Sequence, residues 1–483
     1  DLLVMIESDD FTINGEDQQV LKVPRIGRSR NNAVFSIEPK HNGPGGLKAF
    51  FYANNRVFQK MTITMQVGAV ATSQPVMSAT VQGLTMGSAM SAPLRDDTPV
   101  NLMIIKKEAG YQFILQGVGA MRAFLNLSET QIAELVAQTR EVFKGIVYTL
   151  IDNKYVYQMD DTTVPAEVHA ATLKAMAKHG TLMYRKLFYG PGSGPDARAM
   201  GDLLRQLADA HQLHIEIVAE RFTFPWSMLY SRADLKPDLS NVDPEGFWGF
   251  KHVIEYTPEF ASATPISFVP EITVQGKLGM SFVCNNTIDT QMKRPIIQSQ
   301  REYFQTLSDV SVTEHPNTTD LYALLNNPDQ PSQVVYFYCH AVSQMPGEKT
   351  GVGGSKVILS DGPATLDDLN FAAGTDGAPL KNAPLVFMNC CQSAELSPYL
   401  YDGLVPYLIT KGARGVIGTE VDTPALFAAE FAKEFLTRFF KGNQKLGDLL
   451  LDMRREYLQK KNNVMGLVYA LHSSGEIVIK RAN

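Results

Sequence analysis

Strand-forming residues dominate the first quarter of the chain. Residues 57–67 (VFQKMTITMQV) are a long run rich in strand formers. Residues 101–105 (NLMII) and 111–115 (YQFIL) flank a short connection containing Glu108-Ala109-Gly110, which predicts a hairpin. Asn42-Gly43-Pro44-Gly45-Gly46 supplies the residue types that separate strands at turns. Residues 1–125 are therefore expected to form a small β-rich module of sandwich type.

The period then changes. Ser128 followed by Gln131 makes a capping box, and the amphipathic run behind it predicts a helix to Phe143. Beyond it, short apolar runs such as 214–218 (HIEIV) and 280–283 (MSFV) alternate with helical stretches such as 197–210. That alternation predicts an α/β fold with a largely parallel sheet. It is sharpest after residue 330, where VVYFY (334–338), KVIL (356–359), LVFM (385–388) and GVI (415–417) read as strands buried on both faces. Helices are expected at 365–370, 396–408, 424–440 and 446–460. No tandem repeat or low-complexity tract interrupts the pattern.

Composition narrows the class. A chain of 483 residues is long enough for two or three domains. With 45% hydrophobic and 19% charged residues it reads as an ordered globular protein rather than a disordered one. A net charge of -6, a pI near 5.9 and the lack of any Lys/Arg block argue against a nucleic-acid-binding surface. No stretch approaches the ~18 apolar residues of a membrane span. The sequence opens at Asp1 without a Met or a signal-peptide pattern, which suggests a piece of a longer chain. The four cysteines, Cys284, Cys339, Cys390 and Cys391, are too few for a disulfide framework and lack the C-x-x-C spacing of a zinc site. A reducing, cytoplasmic setting is the simplest expectation.

Two of the expected strands run directly into reactive residues. VVYFY leads into Cys339-His340-Ala341, and LVFM leads into Asn389-Cys390-Cys391-Gln392-Ser393. Chemistry in open α/β sheets gathers at the carboxyl ends of the strands, so neighbouring strands would bring His340 and Cys391 to one edge. A thiol near pKa ~8.5 is mostly protonated at neutral pH. An imidazole within hydrogen-bond reach removes that proton to make the nucleophile, and later returns it to the departing amine. Backbone N–H groups of Cys391 and Ala341 are candidate donors to the oxyanion.

The motifs YFYCHA, VILSDG, LVFMNCCQSA and GARGVIGTE, in that order and followed by a helix pair, resemble the CHAT peptidase domain of the caspase–separase group. FTFPWSMLY, with Trp226, and FWGF, with Trp248, resemble the amino-terminal half of that domain. His340 precedes Cys391 by 51 residues, in the order and near the spacing of about 50 that marks caspases. The resemblance implies a caspase-like α/β/α sandwich with an inactive amino-terminal half, preceded by the β-rich module. The expected division is 1–125, 126–290 and 291–483. It places His340 on the family's catalytic histidine and Cys391 on its catalytic cysteine, since Asn389-Cys390-Cys391 aligns with Asn-Ala-Cys. Cys390 then stands where the family has alanine, and Ala341 where it has glycine. Asp361-Gly362 matches a shared loop that reads as structural.

Competing readings bear on the remaining residues. Cys284 and Cys339 are expected to be buried structural thiols, and Cys390 is the alternative nucleophile. Trp226 and Trp248 are expected in the core. His211 and His214 lie three apart without further ligands, so no metal is expected, and residues 347–355 lack phosphate-loop spacing, so no cofactor is expected. Glu420, Asp422 and, more weakly, Asp361 are candidate carboxylates of a pocket that would select Lys or Arg before the cut; Glu420 and Asp422 can equally cap the following helix. The function expected is a cysteine endopeptidase acting on a protein substrate and switched on by a partner or signal. Family resemblance adds a possible place in bacterial antiviral or cell-death defence. The alternative is a catalytically silent scaffold of the same fold that binds a partner protein.

Overall fold

The computed structural model describes residues 1–24, 29–53, 55–68, 77–83, 99–158, 161–219, 222–258, 270–342, 355–390, 400–421 and 423–481. The amino-terminal strands are β1 (Leu2–Glu7), β2 (Phe11–Asn14), β3 (Gln18–Leu21), β4 (Ser36–Pro39), β5 (Gly43–Ala53), β6 (Arg56–Val67) and β7 (Met77–Gly83). Five of them form an antiparallel sheet in the order β3-β1-β5-β6-β7, and β2 pairs with β4 as a separate ribbon. The glycine-rich segment expected as a turn instead opens β5. A Cβ on Gly45 would meet the Phe11 ring at 2.8 Å, so glycine here makes room for an aromatic side chain rather than a reversal.

The second sheet is built from β8 (Pro99–Lys107), β9 (Gly110–Gln116), β10 (Met121–Leu125), β13 (His214–Ala219) and β14 (Val253–Pro258), in the order β10-β9-β8-β13-β14. Between β10 and β13 lie α1 (Glu129–Val147), the short hairpin β11 (Leu150–Ile151) and β12 (Lys154–Tyr155), α2 (Ala166–Phe188) and α3 (Pro195–Ala210). The expected hairpin closes at Gly110, which has φ +155° and where a Cβ would strike the Leu125 carbonyl at 2.4 Å. The capping box of α1 forms as the sequence predicts. Side chains alternate along β8: Val100, Leu102 and Ile104 face the core shared with α1–α3, while Met103 and Ile105 pack on Met5, Phe50, Tyr52 and Val57 of the first sheet. The two sheets thus meet face to face, and because β8 pairs with β13, strand pairing runs across residue 125. Trp226 and Trp248 are buried in this half, with α4 (Trp248–Lys251) carrying the second, and their rings stack at 6.3 Å.

The third sheet holds the segments of greatest interest. Its elements in chain order are β15 (Glu271–Val274), β16 (Leu278–Cys284), α5 (Thr287–Met292), α6 (Ile296–Gln305), β17 (Val310–His315), α7 (Thr318–Asn326), β18 (Val334–Tyr338), β19 (His340–Val342), β20 (Lys356–Leu359), β21 (Gly362–Thr365), α8 (Leu366–Ala372), β22 (Leu385–Met388), α9 (Leu400–Thr410), β23 (Gly415–Thr419), α10 (Ala425–Phe440), α11 (Leu446–Lys461), β24 (Tyr469–His472) and β25 (Val478–Arg481). Six strands form one sheet, β17-β16-β18-β22-β23-β24, parallel throughout except for β24 at the edge. Helices cover both faces. Val334, Tyr336 and Tyr338 meet α6 and α10 on one side, and Val335 and Phe337 meet α7, α8 and α9 on the other. This is the α/β/α sandwich expected. Strand β16 joins it, so pairing also runs across residue 290.

One expected strand is corrected. Residues 356–359 do not enter the main sheet; they form β20, the centre of a three-stranded antiparallel ribbon β19-β20-β21. Val357 and Leu359 are buried while Lys356 and Ile358 are partly exposed. That alternation is the mark of a ribbon covering one face, and the run is too short for its apolar content to separate the two cases.

A buried ionic cluster ties the first sheet to the rest. Arg56, at the start of β6, donates to the Glu255 carboxylate at 3.1 Å and to Ser474 Oγ at 3.3 Å, contacts His214 Nε2 at 2.9 Å and lies 3.8 Å from the Glu476 carboxylate. Burial alone would raise the pKa of Glu255, but Arg56, His214 and the Gly475 N–H outweigh it and bring it down to about 2. Because the folded value lies below the unfolded value of ~4.3, this carboxylate stabilises the fold fully above pH ~4.3 and the gain is lost as pH falls towards the folded value. Arg56→Met is expected to lower stability by about 3–5 kcal/mol at neutral pH, since it strands buried carboxylates. Urea unfolding should show that deficit shrinking as pH is lowered through the same window.

Candidate active site

Cys284, His340, Cys390 and Glu420 lie at or just beyond the carboxyl ends of β16, β18, β22 and β23. Strands β18 and β22 pair in parallel with Val334 opposite Leu385 and Phe337 opposite Met388. The pairing continues past the last strand residues. The Asn389 N–H donates to the Phe337 carbonyl at 3.0 Å, and the sulfurs of Cys339 and Cys390 lie 3.9 Å apart. Both of these thiols are buried in the layer under α8 and α9.

His340 begins β19 directly after this buried pair and is partly exposed. It lies opposite Ile358 on β20, and its Nε2 lies 2.9 Å from Gln291 Oε1 on α5. Ala341 is buried, opposite Val357, and has the ordinary negative φ of a strand residue. Alanine in place of glycine is therefore accommodated without strain. Cys391, the expected nucleophile, lies outside the described residues, as do Asp422 and most of the loop 347–355.

Asn389 is the hub beneath the strand ends. It is fully buried; its amide donates to the Ala428 carbonyl of α10 at 2.7 Å and to Tyr336 Oη at 3.3 Å, and its Oδ1 accepts from Tyr469 Oη of β24 at 2.8 Å. Tyr336 Oη donates to Gln300 on α6 at 2.7 Å, and Tyr338 Oη to the Ala425 carbonyl at the start of α10 at 2.8 Å. Three strands and two helices are thus locked at the point where β22 ends.

The other candidates fall in different places. The Asp361 carboxylate accepts from the Thr318 N–H at 2.9 Å and from Thr318 Oγ1 at 2.9 Å, so it holds the first turn of α7. Glu420 follows β23 and keeps part of its surface exposed. Burial pushes its carboxyl up to about 8, with Arg454 pulling the other way. The Cys284 thiol at the end of β16 is pushed up to about 12, chiefly by burial, which makes it a poor nucleophile. His211 is exposed and apart from His214, which belongs instead to the Arg56 cluster with Glu255 and Glu476.

Two contributors were missed from sequence. Asn285 and Gln291 follow β16, whose polar tail Asn285-Asn286-Thr287 sits at the same sheet edge as the tails of β18 and β22. The rule that chemistry gathers at strand ends points to this tail as well, but without the strand order nothing marked β16 as the neighbour of β18.

A family model for the CHAT domain matches residues 196–474, more than half of the chain. A probable protease of Vitiosangium sp. (strain GDMCC 1.1324) is 25% identical over 428 residues, covering 76% of this chain and 53% of that one. Two crystal structures of the Saccharomyces cerevisiae separase–securin complex are similar at TM-scores of 0.39 and 0.31. Their identities are 12% and 13%, over 80% and 72% of this chain and 30% and 22% of theirs. The chain thus spans about half the length of the curated relative it matches.

The Asn389 hub is testable through stability. Asn389→Ala removes the bonds to the Ala428 carbonyl and to the Tyr336 and Tyr469 hydroxyls and is expected to cost about 2–4 kcal/mol in urea unfolding. Tyr469→Phe removes the bond from Oη to Asn389 and is expected to cost about 1 kcal/mol.

Proposed function

The chain belongs to the CHAT domain family, and from that premise we propose that it is a cysteine endopeptidase with Cys391 as nucleophile and His340 as general base. One observation carries the reading. Every register pair of β18 with β22 joins residues 51 apart, and the Cys339–Cys390 contact extends the same offset to the residues just before His340 and Cys391. His340 and Cys391 are also 51 apart, so continuing the register would set them side by side. Cys390 is a poor rival, because its thiol is buried against Cys339 rather than at the edge where His340 is reachable.

In this mechanism His340 takes the Cys391 proton and the thiolate attacks the peptide carbonyl. The backbone N–H groups of Cys391 and Ala341 stabilise the oxyanion, the amine leaves with the proton from His340, and water hydrolyses the thioester. Glu420 receives the Lys or Arg side chain before the cut, and Asp422 lies two residues on in the sequence; the incoming cation offsets the burial that raises the Glu420 carboxyl. The substrate is a protein. Reduced thiols beside the nucleophile suit a reducing compartment such as the cytoplasm, where such an enzyme needs restraint by a partner or signal. Among the described residues no helix is long and apolar enough to cross a membrane. A role in bacterial antiviral or cell-death defence rests on family analogy, and equal phage sensitivity of cells carrying the native and Cys391→Ala chains would remove it.

Cys391→Ala and His340→Ala are each expected to lower kcat/KM by about four orders of magnitude or more against a peptide library, while Cys390→Ala keeps most activity. Full activity in Cys391→Ala would sink the proposal. Glu420→Gln should depress cleavage after Lys or Arg selectively. In the unmodified enzyme that preference should strengthen as pH rises towards about 8, because the carboxyl is neutral below its raised pKa.

A further inference from the structure

The loop after β16 is tied to His340 by a directed chain of hydrogen bonds that the proposed mechanism does not use. Asn285 is buried at the end of β16; its N–H donates to the Tyr338 carbonyl at 3.1 Å and its Nδ2 to the Ile358 carbonyl at 3.1 Å. Ile358 is the residue opposite His340 in the ribbon. Asn285 Oδ1 in turn accepts from the Thr287 N–H at 2.9 Å and from Thr287 Oγ1 at 2.7 Å. One buried residue, through its backbone N–H and its side-chain amide, therefore fixes β18, the His340 ribbon and the start of α5 relative to one another.

The direction of these bonds decides the rest. Asn285 Oδ1 can only accept, so the Thr287 hydroxyl donates to it and keeps its lone pairs for another donor. Gln291 Nε2 fills that role at 3.0 Å. With its amino group spent on Thr287, the Gln291 amide turns its oxygen to His340 Nε2 at 2.9 Å. An amide oxygen can only accept, so Nε2 carries a proton, and in the neutral imidazole Nδ1 holds the lone pair.

We infer that Gln291 is the positioning residue of His340: it holds the imidazole as the Nε2–H tautomer and leaves Nδ1 as the atom that takes a proton. This rests on the reading of His340 as general base. A neutral amide does this without the strong attraction for imidazolium that a carboxylate would exert, so the tautomer is set while the base is left free to exchange its proton.

The test follows Cys391 alkylation by iodoacetamide in the full chain, read by mass spectrometry across a pH series, alongside peptide cleavage. Alkylation reports the thiolate without needing an activator. Gln291 is exposed, so its replacement spares the core. Gln291→Ala is expected to slow alkylation near neutral pH and to lower kcat about 10- to 100-fold with little change in KM. Gln291→Glu keeps an acceptor and should restore most of the rate while moving the acid limb of the profile upward in pH, a signature that a purely structural role would not produce. A Gln291→Ala protein with the native pH profile and rate, beside a His340→Ala protein that is slow, overturns the inference and leaves the dyad standing. A His340→Ala protein with native alkylation and cleavage overturns the dyad reading itself.

Discussion

The parallel register between β18 and β22 is the constraint on which the rest of the site depends. Two strands of pure apolar residues, buried on both faces, can slide past one another without changing the character of either face unless something else fixes them. Here the fixing groups are polar and lie at the carboxyl ends. Asn389 bonds to α10, β18 and β24, Tyr336 reaches α6, and Tyr338 reaches the start of α10. The Asn389–Tyr336 bond spans β22 and β18 and is made only when these strands stand in the observed register. An apolar core supplies most of the stability, and these few satisfied polar groups select one alignment from several that apolar packing alone would tolerate.

Much of this was legible because strand and helix periods differ so sharply after residue 330. VVYFY, LVFM and the start of GVIGT are unbroken apolar runs, and the observed strands match them within two residues. Ser128 announced its helix through a side chain that bonds back to the first turn. The failures share a cause. KVIL is apolar enough to read as a central strand, yet only Val357 and Leu359 are buried, and four residues are too few for the alternation to show through. The glycines at 43–46 looked like a turn because their effect on a neighbour, the Phe11 ring, is invisible until the fold brings the two together. Pairing of β8 with β13, 115 positions apart at Asn101 and Glu216, is likewise a long-range fact that local pattern does not carry.

The candidate site shows the same division. His340 stood out because its residue type is reactive and its strand was clear. Asn285 and Gln291 did not, since each is an ordinary polar residue whose importance lies wholly in direction: which atom donates, which accepts, and toward what. Asp361 went the other way. Read from sequence as part of a structural loop and, more weakly, as a pocket carboxylate, it has its oxygens bonded to Thr318 at the head of α7. Charge alone therefore ranks poorly as a guide to function unless the competing local acceptor role is weighed with it.

The cysteine pair sharpens the point about burial. Three described thiols sit at or just beyond strand ends, and each has been withdrawn from solvent: Cys284 by its surroundings, Cys339 and Cys390 by packing against each other under α8 and α9. Cys390 places a second polarizable sulfur in an apolar layer that already contains Cys339. Successive residues of an extended chain face opposite ways. At the end of β18 this alternation sets Tyr338 toward α6 and α10 and Cys339 into the layer under α8 and α9, with His340 partly exposed just beyond.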